Sequence, residues 1–202
     1  MGHLQAFDVQ SIIDLYNLKG YIETGTGIGD SLGHALKFSA FEQLFSIDYD
    51  EDLYKKALIN FQDPRLKLIN NLSRVALPEI LKELSMDKNY LFFLDAHFPK
   101  ADFGTDPDRY VKSVSDFGKD AIPLEEELNI IKNARLNAKD VLLIDDVWIY
   151  EEGPFEGGNW SERKKLTIGN MSFVKSIFED THTIGINYKQ QGYLVLIPKG
   201  QL

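Results

Sequence analysis

Tyr21-Ile22-Glu23-Thr24-Gly25-Thr26-Gly27-Ile28-Gly29-Asp30 is the stretch on which the reading of this chain turns. A short apolar run ends on a carboxylate, three glycines follow at alternate positions, and a helical pattern begins at Asp30. Glycine permits tight turning and close approach of backbone to a ligand, and the helix start offers free N–H groups. The segment therefore predicts strand, ligand-binding turn and helix. A dinucleotide fingerprint, Gly-x-Gly-x-x-Gly, would put Asp30 at its third glycine. An anion on this turn would meet both Glu23 and Asp30, whereas a carboxylate at a strand end suits a cationic group, such as the amino group of a methionine-derived cofactor.

Outward from the turn, short apolar runs alternate with longer amphipathic ones, the pattern of βαβ units and a mostly parallel sheet. Strands are expected at 20–23, 43–47, 66–69, 90–94, 141–144, 182–186 and 193–197. Helices are expected at about 9–18 and at 30–39, 51–61, 77–84, 124–134 and 164–178. The last two strands are separated only by residues 188–192, too few for a crossover helix, so they form an antiparallel pair. Two connections are long, 98–123 and 146–163. Each leaves the carboxyl end of a strand, where open α/β sheets place ligands.

Glu23, Gly25, Gly27 and Gly29 resemble the first motif of class I methyltransferases that use S-adenosylmethionine. Asp48, at the end of the second strand, is similar to the acid that holds the cofactor's ribose in that family, and Ser73 follows the third strand where the adenine side is met. The resemblance implies a Rossmann-like α/β fold with seven strands, a mostly parallel sheet, an antiparallel C-terminal hairpin and helices on both faces. It also implies that Glu23 holds the methionine end, with Thr26 and Asp95 completing the cofactor's surroundings.

Strand four ends in Asp95-Ala96-His97 and strand five in Asp145-Asp146. In a parallel sheet these ends are neighbours, and carboxylates crowded together either raise their pKa values or bind a hard cation, Mg²⁺ being the natural candidate. Metal-dependent O-methyltransferases place acids at these two strand ends. By that resemblance Asp95, Asp145 and Asp146 are metal ligands, and the stretches 93–97 and 122–128 look most like the macrocin type, which acts on sugars. His97 could then accept the proton of the attacking hydroxyl, although the macrocin type has an acid there; Lys100 is the runner-up. His3, His34 and His182 read as structural or surface residues. Trp148, Tyr150, Phe155 and Trp160 could wall an acceptor pocket or pack their loop onto the body.

Composition excludes other classes. The 202 residues are 44% apolar and 26% charged, which fits one soluble domain spanning 1–202. A net charge of −9, with no basic face carrying interleaved aromatics, argues against a nucleic-acid partner. The absence of cysteine removes disulfides, thiolate nucleophiles and Cys-ligated metal, making the cytoplasm the default compartment. No apolar run approaches the ~20 residues of a membrane span, no basic and apolar leader is present, and Ala6 breaks a myristoylation motif. The expectation is a methyltransferase acting with Mg²⁺ on a hydroxyl of a sugar or small metabolite. A metal-independent transferase acting on another nucleophile and a non-catalytic cofactor-binding domain remain as alternatives. Oligomeric state is open, a homodimer included.

Overall fold

The structure, a computed structural model, describes residues 3–101, 108–136, 138–166 and 168–200. Seven strands form one sheet: β1 (Leu18–Thr24), β2 (Gln43–Asp48), β3 (Leu66–Asn70), β4 (Asn89–Leu94), β5 (Val141–Ile144), β6 (His182–Asn187) and β7 (Tyr193–Pro198). Their spatial order is β3-β2-β1-β4-β5-β7-β6. The first five run parallel, while β7 lies between β5 and β6, antiparallel to both, which meets the expected topology.

The helices among the described residues are α1 (Val9–Tyr16), α2 (Asp30–Ala35), α3 (Glu51–Asn60), α4 (Ser73–Glu83), α5 (Arg109–Phe117), α6 (Leu124–Ala134) and α7 (Ser172–Phe178). Alternate side chains of the central strands enter two cores. Ile22, Phe92 and Ile144 pack with Leu77 of α4, Leu128 of α6 and Val174 of α7, while Tyr21, Phe93 and Leu143 belong to the cluster containing Ile13 of α1. Covering on both faces explains why the central strands read as nearly unbroken apolar runs.

Three expectations needed correction. Helix α5 occupies part of the connection that reads as a long loop, because its apolar side, Tyr110, Val114 and Phe117, is partly buried against the core. Helix α4 starts at Ser73 rather than at 77 and runs through Pro78, at the cost of one backbone hydrogen bond. Helix α7 starts at Ser172 rather than 164; residues 161–165 form a separate 3₁₀ turn, and Gly169 and Asn170 precede the helix.

Register places the chemistry. Thr24 pairs with Leu94, and Leu94 with Ile144, so three strands end at one level. The amide of Asp95 donates to Thr24 O, and that of Asp145 to Leu94 O, each at 3.0 Å. Gly25, Asp95 and Asp145 are thus side by side, although 120 residues separate the first from the last.

Candidate active site

The glycine turn is held open by backbone geometry. Gly25, Gly27 and Gly29 have φ of 82°, 55° and 88°, the left-handed region that glycine enters without strain. A Cβ at Gly25 would lie 2.6 Å from Asp95 O, and one at Gly29 would lie 2.4 Å from the Phe61 ring. The amides of Gly25 and Thr26 donate to Ile47 O at 2.9 and 3.1 Å, and Gly27 N donates to Asp48 Oδ2 at 2.8 Å. The other Asp48 oxygen accepts from Asp50 N at 2.7 Å. Burial pushes the Asp48 carboxyl up to about 6 against the opposing pull of these two amides. Each oxygen retains a lone pair for a further donor.

The turn forms one wall of a cleft of about 850 Å³, within the roughly 300–1,000 Å³ of small-molecule sites. Gly25, Thr26, Gly27, Asp48 and Ser73 line it, and so do Asp95, His97 and Asp146. Gly29, placed by the sequence reading in the cofactor site, instead packs on Phe61 and is not in the cleft wall.

Glu23 also departs from its expected role. It is 1% exposed and absent from the cleft wall. Its Oε2 accepts from the Tyr21 hydroxyl and its Oε1 from the Ser46 hydroxyl, both at 2.6 Å, and Ser46 Oγ contacts Thr26 Oγ1 at 2.5 Å. Burial lifts the Glu23 carboxyl to about 7 despite those hydrogen bonds. The side chain braces the turn from behind and does not line the cleft.

In the same cleft, one ligating atom from each of Asp95, His97 and Asp146 lies within 4.8 Å of the others. His97 Nδ1 is 2.8 Å from Asp95 O and Nε2 is 2.8 Å from Asp146 Oδ2. Both ring nitrogens face acceptor oxygens, Nδ1 a backbone carbonyl and Nε2 the Asp146 carboxylate. Asp146 has φ 56° and ψ 46°, a strained conformation for a residue with a Cβ, of the kind that concentrates at functional sites. Phe98 and Lys100, also with positive φ at 39° and 65°, line the same cleft.

Asp145 stands apart from this group, contrary to its expected place among the ligands. Its Oδ1 accepts from Asp146 N at 2.7 Å, and its Oδ2 is buried without a partner. Burial first, then the adjacent Asp146 charge, pushes its carboxyl well above the ordinary range. Asp145 lines a small pocket, bordered also by Asp95, His97 and Asp146, with Glu127 of α6, a residue the sequence reading passed over. Glu127 is 1% exposed and neither of its oxygens has a hydrogen-bond partner; the Thr24 and Ser73 hydroxyls are near but neither closes to a hydrogen bond. Burial raises its carboxyl to about 7. Helical periodicity carried the signal: Leu124, Leu128 and Ile131 are buried, and Glu127 falls on their face.

The aromatic residues divide. Trp148 and Trp160 line the cleft, with the Trp160 ring 5.0 Å from Tyr110 and 5.4 Å from Phe98. Tyr150 and Phe155 are buried in the body. Lys100 Nζ lies 5.9 Å from the Tyr49 ring centroid in the cleft wall. Of the other histidines, His182 is buried on Asp140 O, His34 packs edge-on against Phe38, and His3 borders the cleft 3.9 Å from Asp30.

No protein-family model and no curated protein sequence matches the chain. Solved structures do. A candidate caffeoyl-CoA O-methyltransferase from Staphylococcus aureus superposes with a TM-score of 0.59 at 15% identity, over 98% of this chain and 84% of that one. An O-methyltransferase from Bacillus cereus, solved with S-adenosylhomocysteine, gives 0.55 at 13% identity, over 95% and 79%. A spermidine synthase from Thermotoga maritima gives 0.53 at 17% identity, over 93% of this chain and 56% of that one. With the strand order and the C-terminal hairpin, these similarities establish the Rossmann-like class I methyltransferase fold.

Proposed function

We propose that this protein transfers the methyl group of S-adenosylmethionine to a hydroxyl oxygen of a small molecule, a sugar hydroxyl being the sequence-based preference, with a divalent cation at the acidic end of the cleft. One observation carries the reading: the glycine turn, clamped to Asp48, and the Asp95–His97–Asp146 group open into the same cleft. A donor cofactor on the turn would present its reactive end to that group. The O-methyltransferases of the same fold support this reading.

The residues fit a cation: two carboxylates and an imidazole converge, and Asp146 Oδ1 is buried without a partner. Asp95, His97 and Asp146 would hold it, and a bound cation would lower the pKa of a coordinated substrate hydroxyl. Gly27 and Asp48 fix the cofactor's ribose side, with Ser73 beside the adenine. Trp148 and Trp160 exclude water and orient the acceptor. Lys100, in the cleft wall, would take the hydroxyl proton in its neutral amine form, becoming the ammonium. Lone-pair attack forms the O–CH₃ bond as the sulfonium S–CH₃ bond breaks, leaving a neutral thioether.

Calorimetric titration with S-adenosylhomocysteine tests the cofactor assignment. Wild-type protein should bind one equivalent. Asp48→Ala, which frees the Gly27 amide and removes the ribose acceptor, should weaken binding by about 1.5–3 kcal/mol, or roughly 10- to 150-fold. Absence of binding to the wild type would refute the assignment. A metal-independent transfer to another nucleophile is the second reading, supported by the spermidine synthase of the same fold; turnover unchanged by a chelator would select it.

A further inference from the structure

We propose that the cation site is a mixed nitrogen and oxygen site built from Asp95, His97 and Asp146, with Asp145 outside it, and that it selects a later first-row transition-metal ion such as Co²⁺ over Mg²⁺. The inference rests on the cation placed there under the proposed function and names its metal, in place of the all-oxygen set and the Mg²⁺ expected from sequence.

The surroundings of His97 carry the ligand assignment. Its Nδ1 lies 2.8 Å from Asp95 O, a carbonyl that can only accept, so Nδ1 carries the proton. Nε2 faces Asp146 Oδ2, an acceptor, at 2.8 Å. A cation between the two joins them, either a metal ion or a proton on Nε2. Adjacent ligands on a metal with bonds of about 2.1 Å stand roughly 3 Å apart, which matches the observed separation. A ring N–H held by a backbone carbonyl is also the usual support of a metal-bound imidazole. Independently, Asp146 is 9% exposed, lines the cleft and leaves Oδ1 without a partner.

Asp145 is committed elsewhere. One oxygen holds the Asp146 amide, and the side chain lines the small pocket beside Glu127 and not the main cleft. The group whose ligating atoms lie within 4.8 Å of one another comprises Asp95, His97 and Asp146 without it. Imidazole suits the later first-row metals, whereas Mg²⁺ prefers oxygen ligands and keeps its water.

The competing occupant is a second proton on His97, and metal titration separates the two. Chelator-treated full-length protein, wild type and the variants His97→Asp and Asp145→Asn, is titrated with Co²⁺ and with Mg²⁺ by calorimetry, with the Co²⁺ visible spectrum followed. Circular dichroism confirms that each variant is folded. Wild type should bind one Co²⁺ at least ~10-fold more tightly than Mg²⁺. The His97→Asp variant should change the Co²⁺ spectrum and lower the Co²⁺-to-Mg²⁺ preference by ~10-fold or more while retaining Mg²⁺ binding. The Asp145→Asn variant should leave spectrum and preference unchanged. No Co²⁺ binding by the wild type, a spectrum indifferent to His97→Asp, or loss of metal in Asp145→Asn would overturn the proposal. Titration with S-adenosylhomocysteine on the same preparations separates the two failures: His97-dependent Co²⁺ binding without cofactor binding would sink the transferase reading and leave the metal site standing.

Discussion

Replacing Glu127 by Gln should stabilise the protein in alkaline solution and far less in acid. Glu127 is buried with both oxygens unpartnered, and burial moves its carboxyl from the ordinary 4.5 to about 7. A carboxyl whose pKa is raised on folding binds its proton more tightly in the native state, so stability is greatest below the unfolded value of 4.5 and declines as pH rises toward 7. At about 1.36 kcal/mol per pH unit, the shift from 4.5 to 7 corresponds to a penalty of about 3 kcal/mol once the group is ionised, and to under ~1 kcal/mol at pH 5. Gln has nearly the same shape and no charge. Denaturant unfolding of chelator-treated wild type and variant at pH 5 and pH 8 isolates the effect, because the similarly buried Glu23 is present in both and cancels. The stabilisation by Glu127→Gln should be larger at pH 8 by about 2 kcal/mol. A difference between the two proteins that is the same at both pH values, within about 0.5 kcal/mol, would refute the reasoning and mean that Glu127 has a partner for its charge.

Two further outcomes are expected. Glu23→Gln should keep S-adenosylhomocysteine affinity within about threefold by calorimetry, since its carboxylate braces the turn and does not line the cleft; a loss of ~100-fold would restore direct contact with the cofactor. Gly25→Ala should cost at least ~3 kcal/mol in denaturant unfolding, because its Cβ would meet Asp95 O at 2.6 Å as well as a positive φ, whereas Gly118→Ala, with positive φ and open space, should cost only ~1 kcal/mol; equal costs would show that crowding at the turn is relieved by a shift of β4.

Local chemistry made much of this protein legible in its sequence. Alternate glycines after an acidic strand end predicted the turn, and all three adopt the left-handed backbone that only glycine enters freely. Apolar runs located all seven strands, since a strand buried on both faces admits few polar residues, and a five-residue gap dictated the final antiparallel pair. Asp95, Asp145 and Asp146 could be placed at neighbouring strand ends because parallel register follows from topology.

What each of those side chains does was decided by packing between segments distant in sequence. Glu23 accepts from hydroxyls of its own strand and of β2, so a residue that reads as a cofactor ligand also braces the turn. His97 reads as a base, yet the positions of Asp95 O and Asp146 engage both its nitrogens. Adjacent Asp145 and Asp146 look equivalent in sequence, but only Asp146, with its left-handed backbone, reaches the main cleft, while Asp145 lines the smaller pocket beside it. Glu127 reaches that pocket because α6 packs on the sheet near β4 and β5. Periodicity and turn chemistry are properties of neighbouring residues and survive in the sequence; the charge, partner and reach of a buried polar group are set by whatever the fold brings within 3 Å of it, and only the tertiary structure holds that information.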